Sequence, residues 1–286
     1  MRKVIDANYF QSPDLTRYLA GSQANIAVLP DIAGMETYKG DPVKNLHRSY
    51  EILHRFPRQV LILRGTRVSV KTAADTKSHT RWMEDKDQTA GFGQFYQQIK
   101  LAASGDESHV RAVHRIAKDA VEHFDRVRRD VADIPAAYED MAYIYTEVDK
   151  RQLRTGLDNI NDPLRDKIVC QMLEVAAISL SAHPDVQALP LRLNKAVRRL
   201  PARYAIAHYL LFLRKLLNGG HRAVESAHLA SDVADMMYIA YATYFDGLLS
   251  KEKMVNDVYR DVLKVLSWIG THPEFRSAER PCIQRP

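Results

Sequence analysis

The chain has 286 residues, 46% hydrophobic and 27% charged, enough apolar material for one large or two small globular domains, which excludes disorder and a small stapled scaffold. Lys and Arg number 41 against 35 Asp and Glu, a net charge of +6 that suits a nucleic-acid partner without requiring one. Cys170 and Cys282 have no CxxC spacing, which excludes a disulfide framework and points to a reducing cytoplasm; the opening MRKVIDANYF lacks a signal-peptide core and the longest apolar run, 204–213, is too short for a membrane span, so a soluble protein is expected.

The first seventy residues alternate short β-runs and helical segments. Lys3-Val4-Ile5 ends at Asp6, and Ser12-Pro13-Asp14 opens a helix with Ser12 as N-cap, Pro13 in the first turn and Gly21 as the stop. Residues 25–29 form a second β-run, which leads through Pro30-Asp31 into a helix carrying Glu36 and closing near Gly40. A helix over 42–56 and a β-run over 59–63 follow. Strand and helix alternating at this spacing predict a parallel sheet covered by helices.

From 71 to 220 the β-branched runs disappear. Segments 108–131, 136–154, 163–182 and 191–217 each place apolar residues at helical period, so this block reads as an all-helical insertion. The polar, glycine-punctuated stretch 71–105 reads as including a mobile loop, with Gly91-Phe92-Gly93 as a flexible turn. After Gly220 the α/β character returns: Ser231 is a candidate N-cap for a helix to about 243, residues 245–250 a strand, and Val255, Val258, Tyr259, Val262, Leu266 and Ile269 one face of a closing helix. The expected fold is therefore α/β, a mostly parallel sheet flanked by helices, with residues 1–70 and 221–286 as its two parts and 71–220 as the insertion that splits it.

Four acids sit where strands end or helices begin: Asp6, Glu36, Asp235 and Glu252. Sites in open parallel sheets assemble at the carboxyl ends of strands. Carboxylates converging there repel one another unless a divalent cation such as Mg²⁺ or Mn²⁺ joins them, and that combination points to metal-assisted phosphodiester hydrolysis. Acids at helix starts also serve as ordinary partners of the helix dipole.

Three segments resemble the PIN-domain nucleases. VIDANYF (4–10) is similar to the family's apolar-apolar-Asp-x-Asn start, LPDIAGMETYKG (29–40) to its second-helix segment, and SDVADMMYIAYATYFDGLLSKEK (231–253) to its acid-led helix, Tyr-x-Asp turn and strand ending in Ser, one residue and an acid. The resemblance implies a PIN-like fold and metal positions at Asp6, Glu36, Asp235 and Glu252, with Asp232 a second candidate in the same helix and Asn8 and Ser250 supporting the acids. It covers about 120 residues at the two ends. Two departures stand out, Glu252 where the family carries Asp and Lys251 just before it. The implied activity is a metal-dependent nuclease, RNA preferred over DNA because the family mostly acts on it. Two rivals are a catalytically weak nucleic-acid-binding or scaffold protein, and a nuclease for branched DNA with the helical block as a gate.

Charge distribution adds a nucleic-acid candidate. No Asp or Glu occurs between Val186 and Val224, whereas Arg192, Lys195, Arg198, Arg199, Arg203, Arg214, Lys215 and Arg222 do. Such a run neutralises phosphates with little regard to sequence, and Tyr204 or Tyr209 could stack an unpaired base. The plainer reading is a helix face whose cations pair with acids elsewhere, the tyrosines lying in the core. The helical block also offers a surface for a homodimer or a protein partner.

Overall fold

The computed structural model describes residues 1–71, 78–130, 141–181, 196–218 and 226–271. Strand β1 (Arg2–Ile5) buries Val4 and Ile5 in succession, and β2 (Ile26–Leu29) buries Ala27, Val28 and Leu29. Consecutive rather than alternating burial means that both faces are covered, as a parallel sheet requires. The sheet runs β3-β2-β1-β4, with β3 at Val60–Ile62 and β4 at Leu248–Leu249, and every neighbouring pair is parallel. The register sets Val4 beside Val28 on one side and Leu248 on the other, so the last strand enters beside the first.

The crossovers between β1, β2 and β3 are helical. Ser12 caps α1 (Pro13–Ala20) by accepting the Asp14 N–H, with Pro13 in the first turn, and Gly21 closes it. Helix α2 (Asp31–Thr37) follows β2 directly. Asp41 caps α3 (Pro42–His54) through the Lys44 N–H at 3.1 Å.

Beyond β3 the chain departs from the sequence reading. Helices α4 (Thr66–Ser69) and α5 (His79–Met83) precede α6, which spans Lys86–Ala103 and runs through Gly91 and Gly93 where a flexible turn was predicted. Two helical glycines cost about 1 kcal/mol each. Against that, the Asp85 cap accepts the Gln88 N–H at 2.9 Å, and Phe92, Tyr96, Ile99 and Ala102 are buried on one face against α3 and β3. Burying two aromatic rings outweighs the glycine cost. Residues 72–77, also within the predicted loop, lie outside the described residues.

Two compact units result. The first comprises Met1–Ser69, Ser78–Val127 and Tyr241–Asn256, so α5, α6 and most of α7 (Glu107–Asp130) belong with the sheet. The second comprises Val70–Lys77, Arg128–Ala240 and Asp257–Pro286. Its described helices are α8 (Glu147–Arg154), α9 (Asp162–Ser181), α10 (Leu200–Leu217) and most of α11 (Ser226–Ala242) and α12 (Lys253–Thr271). Helix α10 packs along α9, with Ala176, Ala202 and Ala205 in close contact.

Here too some boundaries move. A capping box at Thr146 and Asp149 starts α8, so no single helix reaches back through 141 as predicted. Helix α10 begins at Leu200 with Pro201 in its first turn, which leaves Arg198 and Arg199 ahead of it rather than on it. Ser231 lies inside α11 and is exposed, because the good helix formers Ala227, Leu229 and Ala230 carry the helix back to Ser226. The strand predicted over 245–250 shortens to two residues. Asp246 accepts the Arg2 N–H at 2.6 Å, and Gly247, at φ +146°, makes a turn that side chains rarely allow. The closing helix buries Val255, Val258, Val262 and Ile269 of the face foreseen for it, with Val265 added, while Tyr259 and Leu266 are half-buried.

Candidate metal centre

The first unit assembles its polar cluster where β1 and β4 end side by side. Ile5 pairs with Leu249 and the Asp6 N–H donates to Leu249 O at 3.0 Å, so Asp6 and Ser250 leave the sheet together. Ser250 Oγ donates to Asp6 Oδ2 at 2.6 Å. The Asn8 amide donates to the same oxygen at 2.7 Å and to Glu252 Oε1 at 3.1 Å, while its own oxygen accepts the Lys251 N–H at 3.0 Å. One amide thus spans two carboxylates.

Further bonds pin the backbone around this cluster. Asp6 Oδ1 accepts the Asn8 N–H at 3.2 Å, holding the tight turn Ala7–Tyr9. The Glu252 N–H donates to Ser250 Oγ at 3.1 Å, and the Asn256 amide donates to the carbonyls of both Ser250 and Glu252 at 2.9 Å. Asn256 escaped the sequence reading. Its only signal is its position four residues after Glu252, one helical turn on.

Asp6 is 3% exposed, and burial pushes its carboxyl up from 3.8 to about 6. The bonds from Ser250 and Asn8 pull it down again, whereas the charges of Glu36 and Glu252 push it up. Glu36 on α2 therefore lies close enough to act on Asp6, although its own carboxylate accepts a bond from Lys39 at 3.2 Å. Glu252 is exposed. Like charges gathered around a buried carboxylate raise its pKa, and a cation placed among them reverses the effect.

The remaining predicted acids sit on α11. Asp235 is buried there. Asp232 is also buried, but its carboxylate is held by Lys215 of α10 in an ion pair. That pairing commits one of its oxygens to an ammonium, which offsets the charge that a cation would need. Asp232→Asn is expected to lower stability by about 1–3 kcal/mol by removing the charge partner of half-buried Lys215, leaving the metal requirement for any cleavage unchanged; thermal melts and a Mn²⁺ titration of the variant check both.

The basic stretch largely resolves into structure. Arg192 and Lys195 lie outside the described residues. Arg198 is exposed, Arg199 is buried, and Arg203 Nε donates to the Val197 carbonyl at 3.0 Å. Arg214 grips Asp261 with two bonds of 2.9 and 2.6 Å, and Lys215 is held by Asp232. Acids from α11 and α12 supply the counter-charge that the local sequence lacks. Tyr209 is 1% exposed with its hydroxyl 2.7 Å from that of Tyr145, so it stacks in the core and not on a base. The ring of half-buried Tyr204 lies against His208, and burial lowers that imidazole to about 4, so it is neutral near pH 7.

No protein-family model, no curated protein and no solved structure matches the chain. The functional reading rests on the chemistry of the site.

Proposed function

We propose that the protein is a metal-dependent nuclease of PIN-like fold that hydrolyses phosphodiester bonds, cutting RNA in preference to DNA. The observation that carries this reading is the bridging of Asp6 and Glu252 by one Asn8 amide at the carboxyl edge of a parallel sheet, with Asp6 buried and its carboxyl raised. Asp235 is the third carboxylate of the proposal. Hard oxygen donors of this kind suit Mg²⁺ or Mn²⁺.

When bound, the ion supplies a hydroxide-like nucleophile at neutral pH and neutralises charge developing on the scissile phosphate. The chain's own residues do the positioning. Ser250 and Asn8 orient the Asp6 carboxylate, Asn8 holds Glu252 towards it, and Asn256 fixes the backbone from which both Ser250 and Glu252 project. Glu36 accepts a proton or orients the attacking water from the α2 side. Arg198 contributes a phosphate contact, so Arg198→Ala is expected to flatten the slope of log affinity against log salt by about one unit.

The test is Mn²⁺-dependent cleavage of single-stranded RNA set beside branched DNA. RNA cleavage that stops on chelation is the expected result. Cleavage confined to branched DNA favours the structure-specific alternative, and RNA binding without cleavage in Mn²⁺ or Mg²⁺ favours a binding or scaffold protein. Among the described residues no helix is long and apolar enough to cross a membrane.

A further inference from the structure

Within the first unit a cavity of about 350 Å³ opens between α2, α3 and α6, next to the carboxyl ends of β2 and β3. We propose that it receives one unstacked nucleobase of the substrate strand, an inference that rests on the nuclease reading above. Its size is near the bottom of the range for small-molecule sites, roughly 300–1,000 Å³, enough for one heterocycle and too little for a folded element.

The lining has the chemistry of a stacking site. Tyr38 and Phe95 are half-buried and line the cavity, with Tyr50 and Phe92 buried beneath. Tyr50 meets Phe92 and Phe95 edge-on, at 5.9 and 6.0 Å and both at 73°, so the rings are already ordered before a ligand arrives. Glycines keep the walls low. A Cβ on Gly34 would only touch the Tyr50 hydroxyl, at 3.5 Å, and a Cβ on Gly91 would meet nothing within 4 Å. Gln88 supplies a polar edge: its amide donates to Asp85 Oδ2 at 3.0 Å and has a second N–H and an oxygen to offer a base.

Its place in the fold ties the cavity to the acids. Pro30, at its rim, is level with Asp6 in the neighbouring strand, because Val4 pairs with Val28 and both chains continue two residues further. Adjacent strands lie about 4.8 Å apart, so the rim and the Asp6 carboxylate flank one strand gap. Helix α2 divides them: Gly34, Met35 and Tyr38 line the cavity, whereas the Glu36 charge acts on Asp6. A strand crossing α2 would present a phosphate to the acids and a neighbouring base to the rings.

Gly91→Leu tests the proposal by filling the cavity from α6. Leucine is the better helix former, and its first carbon meets no neighbour, so the fold is expected to hold in thermal melts. With single-stranded RNA and Mn²⁺, the variant is expected to raise KM roughly 5- to 150-fold, the span of losing one base–aromatic contact, with kcat unchanged. An RNA with an abasic position beside the cut should show the same KM for both proteins. Equal KM on intact RNA, or an equal loss on the abasic RNA, overturns the proposal. A second readout separates it from the nuclease reading. Metal-free wild-type protein should bind a nucleoside monophosphate and the variant should not, even were no cleavage found; absence of binding by wild type, or equal binding by both, sinks the cavity's role.

Discussion

Asp6→Asn is expected to abolish metal-dependent cleavage and, at pH 7 without metal, to make the protein more stable than wild type. Both effects follow from one buried charge. The carboxyl titrates near 6 in the folded chain against 3.8 for an ordinary aspartate, an interval of roughly 3 kcal/mol. The folded state holds the proton more tightly than the unfolded state does. Its contribution is therefore fully present below pH 4, shrinks as pH rises from 4 to 6, and is gone above 6, where the protein carries a buried anion at a cost. An asparagine removes that cost. It also places an amide nitrogen where Asp6 Oδ1 accepts the Asn8 N–H at 3.2 Å, or else surrenders the bonds from Ser250 and Asn8, at about 1 kcal/mol. The net gain at pH 7 is about 1–2 kcal/mol. Melts in chelator should show the variant ahead at pH 7 and the advantage gone at pH 4. Adding Mn²⁺ should reverse the order at pH 7, since only wild type gains the ligand's stabilisation. Wild-type metal affinity should also weaken as pH falls through 6, where the proton competes for the same oxygens. Full cleavage by Asp6→Asn would remove the assigned site.

What the sequence made legible was local. The cap at Ser12, the proline behind it, and the consecutive apolar residues of β1 and β2 act within a few positions of each other, and the structure has them where the pattern points. The misread elements turn on distant partners. Gly91 and Gly93 look like a turn until Phe92 and Tyr96 find α3, and the acid-free basic stretch looks unpaired until Asp232 and Asp261 arrive from α11 and α12. Tyr209 reads as an available ring because its hydroxyl partner, Tyr145, is 64 positions away. In the candidate site, Asp6 and Glu252 were visible as acids following strands, and Asn8 and Ser250 only through the resemblance of two short segments to the PIN-domain pattern. Asn256 was not, because an asparagine clamping two carbonyls has no signature beyond its helical offset.

Glu252 offers the sharpest remaining test, because its backbone is anchored apart from its carboxylate. The N–H is held by Ser250 Oγ and the carbonyl by Asn256, whereas the side chain is exposed and touches the cluster through the 3.1 Å bond from Asn8. Changing the side chain therefore moves a ligand without moving the strand end that carries it. If Glu252 holds the ion directly, Glu252→Asp is expected to keep or raise activity, since a charged oxygen remains and Asp is the side chain that the PIN resemblance expects there. Glu252→Gln keeps the length and the Asn8 contact through its amide oxygen but loses the charge. It should raise the Mn²⁺ concentration for half-maximal cleavage by at least the 10- to 100-fold that losing a mere supporting partner costs. If a water stands between Glu252 and the ion, both variants should shift that concentration only modestly, because another water can bridge the altered gap at about 0–2 kcal/mol. A glutamate that serves structure alone would give neither shift, and the loss would instead appear in thermal melts as the Asn8 bond weakens. Identical half-saturation in wild type, Glu252→Asp and Glu252→Gln would thus withdraw Glu252 from the centre and leave Asp6 and Asp235, with Glu36 across α2, to hold the ion.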